Sequence, residues 1–403
     1  MPDVDLPFGR DEYGDRLKRT RAAMAAAGLD ALVTVDPSNM AWLTGYDGWS
    51  FYTHQAVIVG PEGEPLYWGR RMDAVGATLT CWMAADNIVG YPDHFVMSTV
   101  RHPMQHLAGL LRERGLAQGR IGVELENYYY SAKAHAALGA ELAGDDAGGA
   151  ELVDATALVN WQRARKSPAE IRYMRRAARI SENMQARARE LIGPGVHGNE
   201  VAAEVYRTAI LGAEDEDGPY GGDYPAIAPL MPAGRDTTAA HLSWRDAPYA
   251  EGTGVFLEIS GCVRRYHAPL CRTVWLGKPP GAIRRAEAAL VEGIEAGIDA
   301  ARAGNTAGDV ARAFYGVLAR HGIEREGRCG YPIGLSYPPD WGERTFSIRP
   351  EDETVLQPDM TFHFMPGLWL SEWGIEITEP LRVRESGPAE CLADYPRKLF
   401  VTR

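Results

Sequence analysis

The stretch Lys166-Ser-Pro-Ala-Glu-Ile171 marks the point at which the chain changes character. Ser167 suits an N-cap, Pro168 suits the first helical position, and Glu170 stands three residues after the serine, as a capping box requires. The pattern predicts a long helix that runs to about Leu191 and ends at the Gly-Pro-Gly that follows Ile192. It also predicts a boundary between a domain over residues 1–160 and a second domain over residues 161–403.

Upstream of this boundary, short apolar runs alternate with helical segments. The amphipathic spacing of residues 12–28 predicts a helix, and a tight Pro-Glu-Gly turn between two apolar runs predicts a hairpin. Candidate strands lie at residues 30–35, 55–60, 64–68, 120–124 and 151–154. The first domain is therefore expected to be mixed α/β.

Downstream, paired strands alternate with paired helices. Candidate strands lie at residues 254–259, 272–276, 361–365 and 374–379, and candidate helices at about 281–302 and 307–321. This order favours a curved antiparallel sheet backed by helices. The predicted fold class of the whole chain is α/β, of the α+β kind.

Composition and charge restrict the partners. The formal net charge of −12 argues against a nucleic-acid binder, which would need a basic face. No apolar run approaches the roughly 18 residues of a membrane span, and the polar, acidic N-terminus lacks the apolar core of a signal peptide. The five cysteines are scattered and odd in number, as expected for reduced thiols. We therefore expect a cytoplasmic protein without a nucleic-acid or membrane partner.

Two acidic residues stand in strand-like apolar surroundings. Glu258 lies in Val-Phe-Leu-Glu-Ile-Ser and Glu376 in Gly-Ile-Glu-Ile-Thr-Glu. A buried carboxylate is costly unless a cation or hydrogen-bond donors compensate it, so both are candidate functional residues. The alternatives are that strand alternation points them to solvent, that an arginine pairs with them, or that Glu379 is the important member of the second motif.

The histidines offer a candidate acid/base. His241 follows a glycine-containing turn and could exchange protons at neutral pH, although an isolated histidine is more often structural. His267 and His363 lie among apolar residues, where most histidines are satisfied core residues.

Two aromatic segments are unusual. The segment from Tyr331 to Trp341 is rich in proline and aromatic residues, and it predicts either the wall of a small-molecule pocket or a surface loop. A second cluster is denser than a simple core requires, and it fits an interface, a wall for a cationic ligand, or core packing. Its members are Trp42, Tyr46, Trp49, Phe51 and Tyr52.

At these residues the chain resembles the superfamily of creatinases, prolidases and methionine aminopeptidases. The capped helix after Lys166 is similar to the one that opens their catalytic domain, and Tyr266-His-Ala-Pro-Leu-Cys-Arg-Thr resembles their Tyr-His-Ser-Asp-x-Thr-Arg-Thr strand. The resemblance implies a creatinase-like N-terminal domain, a C-terminal "pita-bread" catalytic domain and a hydrolase that acts on C–N bonds.

The departures from this superfamily concern the metal site. Its metal-dependent members bind two ions through two aspartates, a histidine and two glutamates. The matching positions in this sequence are Glu258, Pro269, Tyr331, Met365 and Thr378. Most of these side chains cannot bind hard divalent cations, so we expect no metal and no other cofactor.

A narrower resemblance is to the ectoine hydrolases. It is carried by the long strings that begin at Asp36, Gly221, Gly330 and Thr361. It implies opening of the cyclic amidine ectoine, and of 5-hydroxyectoine as a second substrate, to N-acetyl-2,4-diaminobutyrate, by a homodimer whose site lies near the subunit interface. The implied catalytic residues are His241, Glu258 and Glu376. The implied substrate-binding residues are Trp49, Phe51, Tyr52, Asp223, Tyr266, His267, Cys271, Tyr331, His363 and Met365.

Three alternatives stay open at this point. One is a creatinase-like amidinohydrolase on another guanidino or amidino compound, which would need a similar set of carboxylates and a histidine. The others are an Xaa-Pro peptidase, which the missing ligands disfavour, and an inactive binding module on the same fold.

Overall fold

The structure is a computed structural model that describes residues 4–143 and 149–402. The first three residues of the polar N-terminus lie outside this range. The chain divides into two compact units, one up to Arg163 and the other from Ala164 onward. Among the described residues, no helix is long and apolar enough to cross a membrane.

The first unit is built on one sheet. Its strands are β1 (Ala31–Thr34), β2 (Ala56–Val59), β3 (Leu66–Arg70), β4 (Ile88–Tyr91), β5 (Arg120–Val123) and β6 (Glu151–Asp154). Its helices are α1 (Arg10–Ala26), α2 (Pro37–Thr44), α3 (Arg71–Thr80), α4 (Pro103–Glu113), α5 (Ala132–Leu142) and α6 (Leu158–Arg163). The strand order is β4-β3-β2-β1-β5-β6. The predicted hairpin is confirmed, because β2 and β3 pair antiparallel.

The second unit contains longer elements. Its helices are α7 (Pro168–Leu191), α8 (Gly198–Leu211), α9 (Gly281–Ala300) and α10 (Ala307–Arg320). Its strands are β7 (Ala213–Asp215), β8 (Gly218–Tyr220), β9 (Gly254–Val263), β10 (Tyr266–Leu276), β11 (Gly330–Pro332), β12 (Thr361–Phe364), β13 (Gly367–Trp369), β14 (Gly374–Glu376), β15 (Glu379–Arg382), β16 (Glu390–Cys391) and β17 (Phe400–Thr402). The sheets are ordered β17-β10-β9, β11-β12-β15-β16, β13-β14 and β7-β8.

The start of α7 agrees with the sequence prediction. Ser167 caps the helix, Pro168 occupies its first turn, and Glu170 completes the capping box by accepting a hydrogen bond from the Ser167 backbone at 2.7 Å. The helix ends at Leu191, as predicted.

Helix α7 supports the β9–β10 hairpin through buried polar contacts. The Gln185 amide donates to the carbonyls of Leu257 and Leu270 at 2.7 and 2.8 Å. The Ser181 hydroxyl donates to the Ala268 carbonyl and accepts from the Gly261 backbone. Because buried backbone groups need partners, these bonds fix the hairpin against the helix. The predicted α/β fold class is confirmed by this mixture of sheets and packed helices.

Candidate active site

The two faces of the β9–β10 hairpin separate the predicted site residues. Strand β9 pairs antiparallel with β10, with Glu258 opposite Cys271. Because side chains alternate along a strand, His267 and Cys271 share one face of β10 whereas Tyr266 points to the other. The Tyr266 hydroxyl donates to Glu170 of α7 at 2.6 Å. The structure therefore does not bring Tyr266 to the Glu258 face, and its ring stacks with Tyr173 of α7.

Two threonines hold Glu376 against the same hairpin. The Thr273 hydroxyl donates to the Glu376 carbonyl and accepts from the Glu376 backbone N–H, both at 2.9 Å. The Thr378 hydroxyl accepts from the Cys271 backbone N–H at 2.7 Å, and the Thr378 N–H donates to the Cys271 carbonyl at 3.2 Å. These bonds attach β14 and the residues after it to β10. They place the Glu376 side chain beside Cys271 and in the field of Glu258.

Both carboxyl groups are buried. The side chain of Glu258 is 5% exposed, and Glu376 is fully buried. Neither carboxyl oxygen of Glu376 has a hydrogen-bond partner among residues 4–143 and 149–402. Glu379, the alternative candidate, accepts hydrogen bonds from Arg272 and Arg397. These two arginines balance its negative charge.

Burial controls the protonation of this pair. It raises the pKa of Glu258 to about 7. Burial, together with the nearby charge of Glu258, raises the pKa of Glu376 well above its ordinary value, although Cys271 and Arg325 oppose this rise. At neutral pH the protonated form of Glu376 is therefore favoured, and Glu258 is the more readily ionised of the two.

The Cys271 side chain is a thiol rather than a thiolate. Burial raises its pKa well above the ordinary value, and the neighbouring carboxyl groups of Glu376 and Glu258 act in the same direction. Because the thiolate is the reactive form of cysteine, these surroundings disfavour Cys271 as a nucleophile.

A row of ring side chains borders Glu258. Trp341 Nε1 donates to the Tyr331 hydroxyl at 2.7 Å, and that hydroxyl lies 3.1 Å from His363 Nδ1. His363 Nδ1 lies 3.9 Å from Glu258 Oε1. Burial lowers the pKa of His363 to about 3, so its ring is neutral. The segment 331–337 is buried, which makes it an inner wall rather than a surface loop.

His267 and Asp223 are held by backbone groups. His267 Nε2 accepts from the Ala226 N–H at 2.9 Å, and burial lowers the pKa of this imidazole to about 3. Asp223 accepts from the Arg265 backbone at 3.3 Å, and its own N–H donates to the Cys262 carbonyl. Cys262 is four residues from Glu258, which is roughly 13 Å along an extended strand. Asp223 is thus anchored at the far end of the hairpin.

His241 is exposed in a turn next to β9. The Ser243 hydroxyl donates to the Pro229 carbonyl, and the adjacent Leu230 exchanges two backbone hydrogen bonds with Glu258, at 2.9 and 3.1 Å. The turn is therefore attached to the strand segment that flanks Glu258. No contact between His241 and either carboxyl group is found among the described residues.

The aromatic cluster of the first unit separates into two groups. Trp42 and Tyr46 are buried and belong to the packed interior. Trp49 and Tyr52 are 62% and 60% exposed. Phe51 is half-buried, and its ring centroid lies 4.7 Å from that of Trp49.

The sequence prediction missed some residues that contribute to the site. No sequence signal predicted that Thr273 holds Glu376 or that Trp341 donates to Tyr331, although Trp341 belongs to the predicted pocket-wall segment. Met365 is half-buried directly after β12. Phe364, by contrast, packs in the hydrophobic core against Phe314. Strand alternation would have shown that Tyr266 and His267 face opposite ways, but no local signal connects Trp341 to Tyr331.

Comparison with known proteins identifies the family. The Creatinase/Prolidase N-terminal domain matches residues 16–165, and metallopeptidase family M24 matches residues 172–385. The chain belongs to metallopeptidase family M24. An ectoine hydrolase from Halomonas elongata is 55% identical over 404 residues that cover all of both chains. The resemblance to ectoine hydrolases and the assignment as a hydrolase are thereby confirmed.

Solved structures of a prolidase and a dipeptidase share the fold. A prolidase from Thermococcus sibiricus superposes with a TM-score of 0.79 at 18% identity, covering 97% of this chain and 99% of the prolidase. A dipeptidase from Pyrococcus horikoshii superposes with a TM-score of 0.78 at 20% identity, covering 96% of this chain and all of the dipeptidase. At such identities the likeness concerns the fold alone.

The M24 family name implies metal ions, and the side chains of this site do not fit them. Pro269 offers no donor atom, the Thr378 hydroxyl is occupied by the Cys271 backbone, and the buried Tyr331 phenol has a pKa well above its ordinary value. In the described part of the chain, no group of three or more His, Cys, Asp or Glu side chains is arranged to hold a metal ion.

The buried acids predict a specific dependence of stability on pH. From about pH 7 to about pH 8, the free energy of unfolding should fall, because folded Glu376 and, in part, folded Glu258 keep protons that unfolded glutamates have lost. Each retained proton corresponds to about 1.4 kcal/mol per pH unit. The buried histidines have lowered pKa values, so their effect on the pH dependence of the free energy of unfolding has the opposite sign. That effect falls mostly below the ordinary histidine pKa of about 6.5 and is small between pH 7 and pH 8.

The measurement is chemical unfolding at the two pH values. Glu376→Gln should flatten the pH dependence, whereas the exposed control Glu385→Gln should keep it. A wild-type protein equally stable at both pH values would contradict the protonation assigned to Glu376.

Proposed function

We propose that this protein hydrolyses the cyclic amidine of ectoine, with 5-hydroxyectoine as a second substrate, and releases N-acetyl-2,4-diaminobutyrate. The observation that carries the proposal is the buried pair of Glu258 and Glu376, in which both oxygens of Glu376 have no partner among the described residues. The identity of 55% over the full length of the Halomonas elongata ectoine hydrolase supports it.

The charge of the site suits an amidinium. This cation is delocalised over an N–C–N unit, and its N–H groups need acceptors. The carboxyl oxygens of Glu258 and Glu376 offer acceptors in a buried place, where a bound cation would favour the ionised form of Glu258. Binding would therefore supply the positive charge that the ligand-free pair lacks.

The two acids have different protonation states, which favours different roles. Glu258, the more readily ionised, would activate the attack that brings a water-derived oxygen to the amidine carbon. Glu376, the neutral acid, would give its proton to the departing nitrogen as one ring C–N bond breaks. Water thus supplies the acetyl oxygen, and its two protons end on the product and the carboxyl pair. His241, exposed beside this strand, would exchange the proton with solvent.

The shape of the site favours a compact ring. Tyr331 and Trp341 form a buried wall, and Met365 and Trp369 are half-buried nearby in sequence. Creatine joins a guanidinium to a carboxylate, as ectoine joins an amidinium to one, but it brings additional N–H groups. Leaving such donors unpaired in a dry pocket costs about 1–3 kcal/mol each. We therefore propose discrimination against creatine.

We further propose that the reaction needs no metal ion. The proposal rests on the side chains at the five matching positions, of which only Glu258 is an anionic oxygen ligand.

The proposal also includes a homodimer. The aromatic segment around Trp49, Phe51 and Tyr52 of one copy would complete the wall of the other copy's site. The exposure of Trp49 and Tyr52 supports this, because large aromatic side chains are favoured at interfaces.

The substrate prediction is tested by a side-by-side assay. Purified protein should convert ectoine to the ring-opened acetylated product and should release no urea from creatine. Glu258→Gln, Glu376→Gln and His241→Ala should each lower turnover by roughly 100-fold or more, because each removes a group from the proton pathway.

The matched control for His241→Ala is His321→Ala, which removes another exposed histidine of the same unit. It should leave turnover unchanged. Urea from creatine without turnover of ectoine would overturn the substrate assignment, and near-normal kinetics in all three site variants would show that the site is misplaced.

Metal independence predicts that chelators leave activity intact. Elemental analysis of the purified protein should show no stoichiometric Mn, Zn, Co or Fe. Activity that disappears in chelator and returns with a divalent metal would refute this part of the proposal.

If the aromatic segment of one copy completes the site of the other copy, substitutions in that segment should lower turnover. Light scattering should give twice the mass of one chain, and Trp49→Ala and Tyr52→Ala should lower activity. Ile210→Ala is the control, because Ile210 is equally exposed, at 63%, on α8 of the other unit. A monomer with full activity would exclude the shared wall.

A further inference from the structure

His363 has an unused hydrogen-bonding position beside the carboxyl pair. Its ring is fully buried, and Nε2 has no hydrogen-bond partner among residues 4–143 and 149–402. Its other nitrogen, Nδ1, faces the Tyr331 hydroxyl at 3.1 Å and lies 3.9 Å from Glu258 Oε1. Since both nitrogens belong to one five-membered ring, Nε2 is at most one ring width farther from Glu258 Oε1 than Nδ1 is.

The neighbours of Nδ1 determine which nitrogen carries the proton. Trp341 Nε1–H can only donate, and it donates to the Tyr331 oxygen at 2.7 Å. The Tyr331 hydrogen then needs an acceptor, and in the described part of the chain His363 Nδ1 is the acceptor it has. A neutral imidazole that accepts at Nδ1 carries its hydrogen on Nε2. The row Trp341–Tyr331–His363 therefore presents Nε2–H as a donor.

The protonation states of the two rings agree with a hydrogen bond that Tyr331 donates to His363 Nδ1. Burial raises the pKa of Tyr331 well above its ordinary value, so the phenol keeps its hydrogen. Burial lowers the pKa of His363 to about 3, so the imidazole stays neutral and has one N–H.

We propose that the Trp341–Tyr331 pair fixes His363 in its Nε2–H form, and that this N–H donates to the oxygen that arrives on the amidine carbon. The assignment rests on the proposed hydrolysis. A donor cannot serve the amidinium, whose own N–H groups are donors, but it suits an oxygen on which negative charge develops. A buried donor that is already oriented stabilises such an oxygen without reorganisation.

The tautomer is tested without substrate. Nitrogen-15 NMR of histidine-labelled protein distinguishes the two neutral forms, and comparison with His363→Gln assigns the signal. His363 should show the Nε2–H form at neutral pH. His267 is an internal control with the opposite form, because its Nε2 accepts from the Ala226 backbone. Tyr331→Phe should remove the preference of His363 and leave His267 unchanged. An Nδ1–H or charged His363 would overturn the proposal.

The role in turnover is tested by two substitutions. Gln places an amide N–H where His has Nε2, whereas Asn places it near Nδ1. His363→Asn should lower kcat for ectoine by roughly 100-fold with little change in KM, and His363→Gln should restore much of the loss. A raised KM with normal kcat would instead make His363 a contact of the substrate carboxylate and overturn the assigned role. If the wild-type protein does not turn over ectoine, the proposed function and the role in turnover both fail, while the NMR result still decides the tautomer.

Discussion

Two carboxyl groups lie close together in the buried interior beside the β9–β10 hairpin, and among the described residues neither oxygen of Glu376 has a hydrogen-bond partner. Glu258 is 5% exposed and Glu376 is fully buried. An isolated buried carboxylate is too costly to stay ionised, so the site keeps protons that ordinary glutamates would lose. This constraint explains why the groups can receive a cationic ligand and why they differ in acidity.

The surrounding structure holds this arrangement in place. Gln185 and Ser181 of α7 fix the backbone of the hairpin from one side. Thr273 and Thr378 attach the Glu376 segment from the other side. Thr378 is informative, because the sequence resemblance matches it to a position at which metal-dependent members of the superfamily have a glutamate ligand. Here the same position stabilises the backbone, and Glu376, two residues earlier, brings the carboxyl group.

Much of this could be predicted from the sequence. The capping box at Ser167 and the turn of the β2–β3 hairpin are local signals, so the elements they begin or join were placed well. An acid inside an apolar strand is equally local, and the expected burial of Glu258 and Glu376 is confirmed. The contact of Trp341 with Tyr331 could not be predicted, because it depends on how a ten-residue segment folds back on itself. The exposure of His241 likewise depends on the packing of its turn.

In the ligand-free protein, Glu376 is expected to be a buried, protonated acid. Infrared difference spectroscopy tests it most directly, through the C=O stretch of a protonated carboxylic acid. We expect the ligand-free wild-type protein at neutral pH to show this band, shifted by deuteration and diminished in Glu376→Gln. A wild-type spectrum that Glu376→Gln leaves unchanged would contradict the protonation assigned to Glu376.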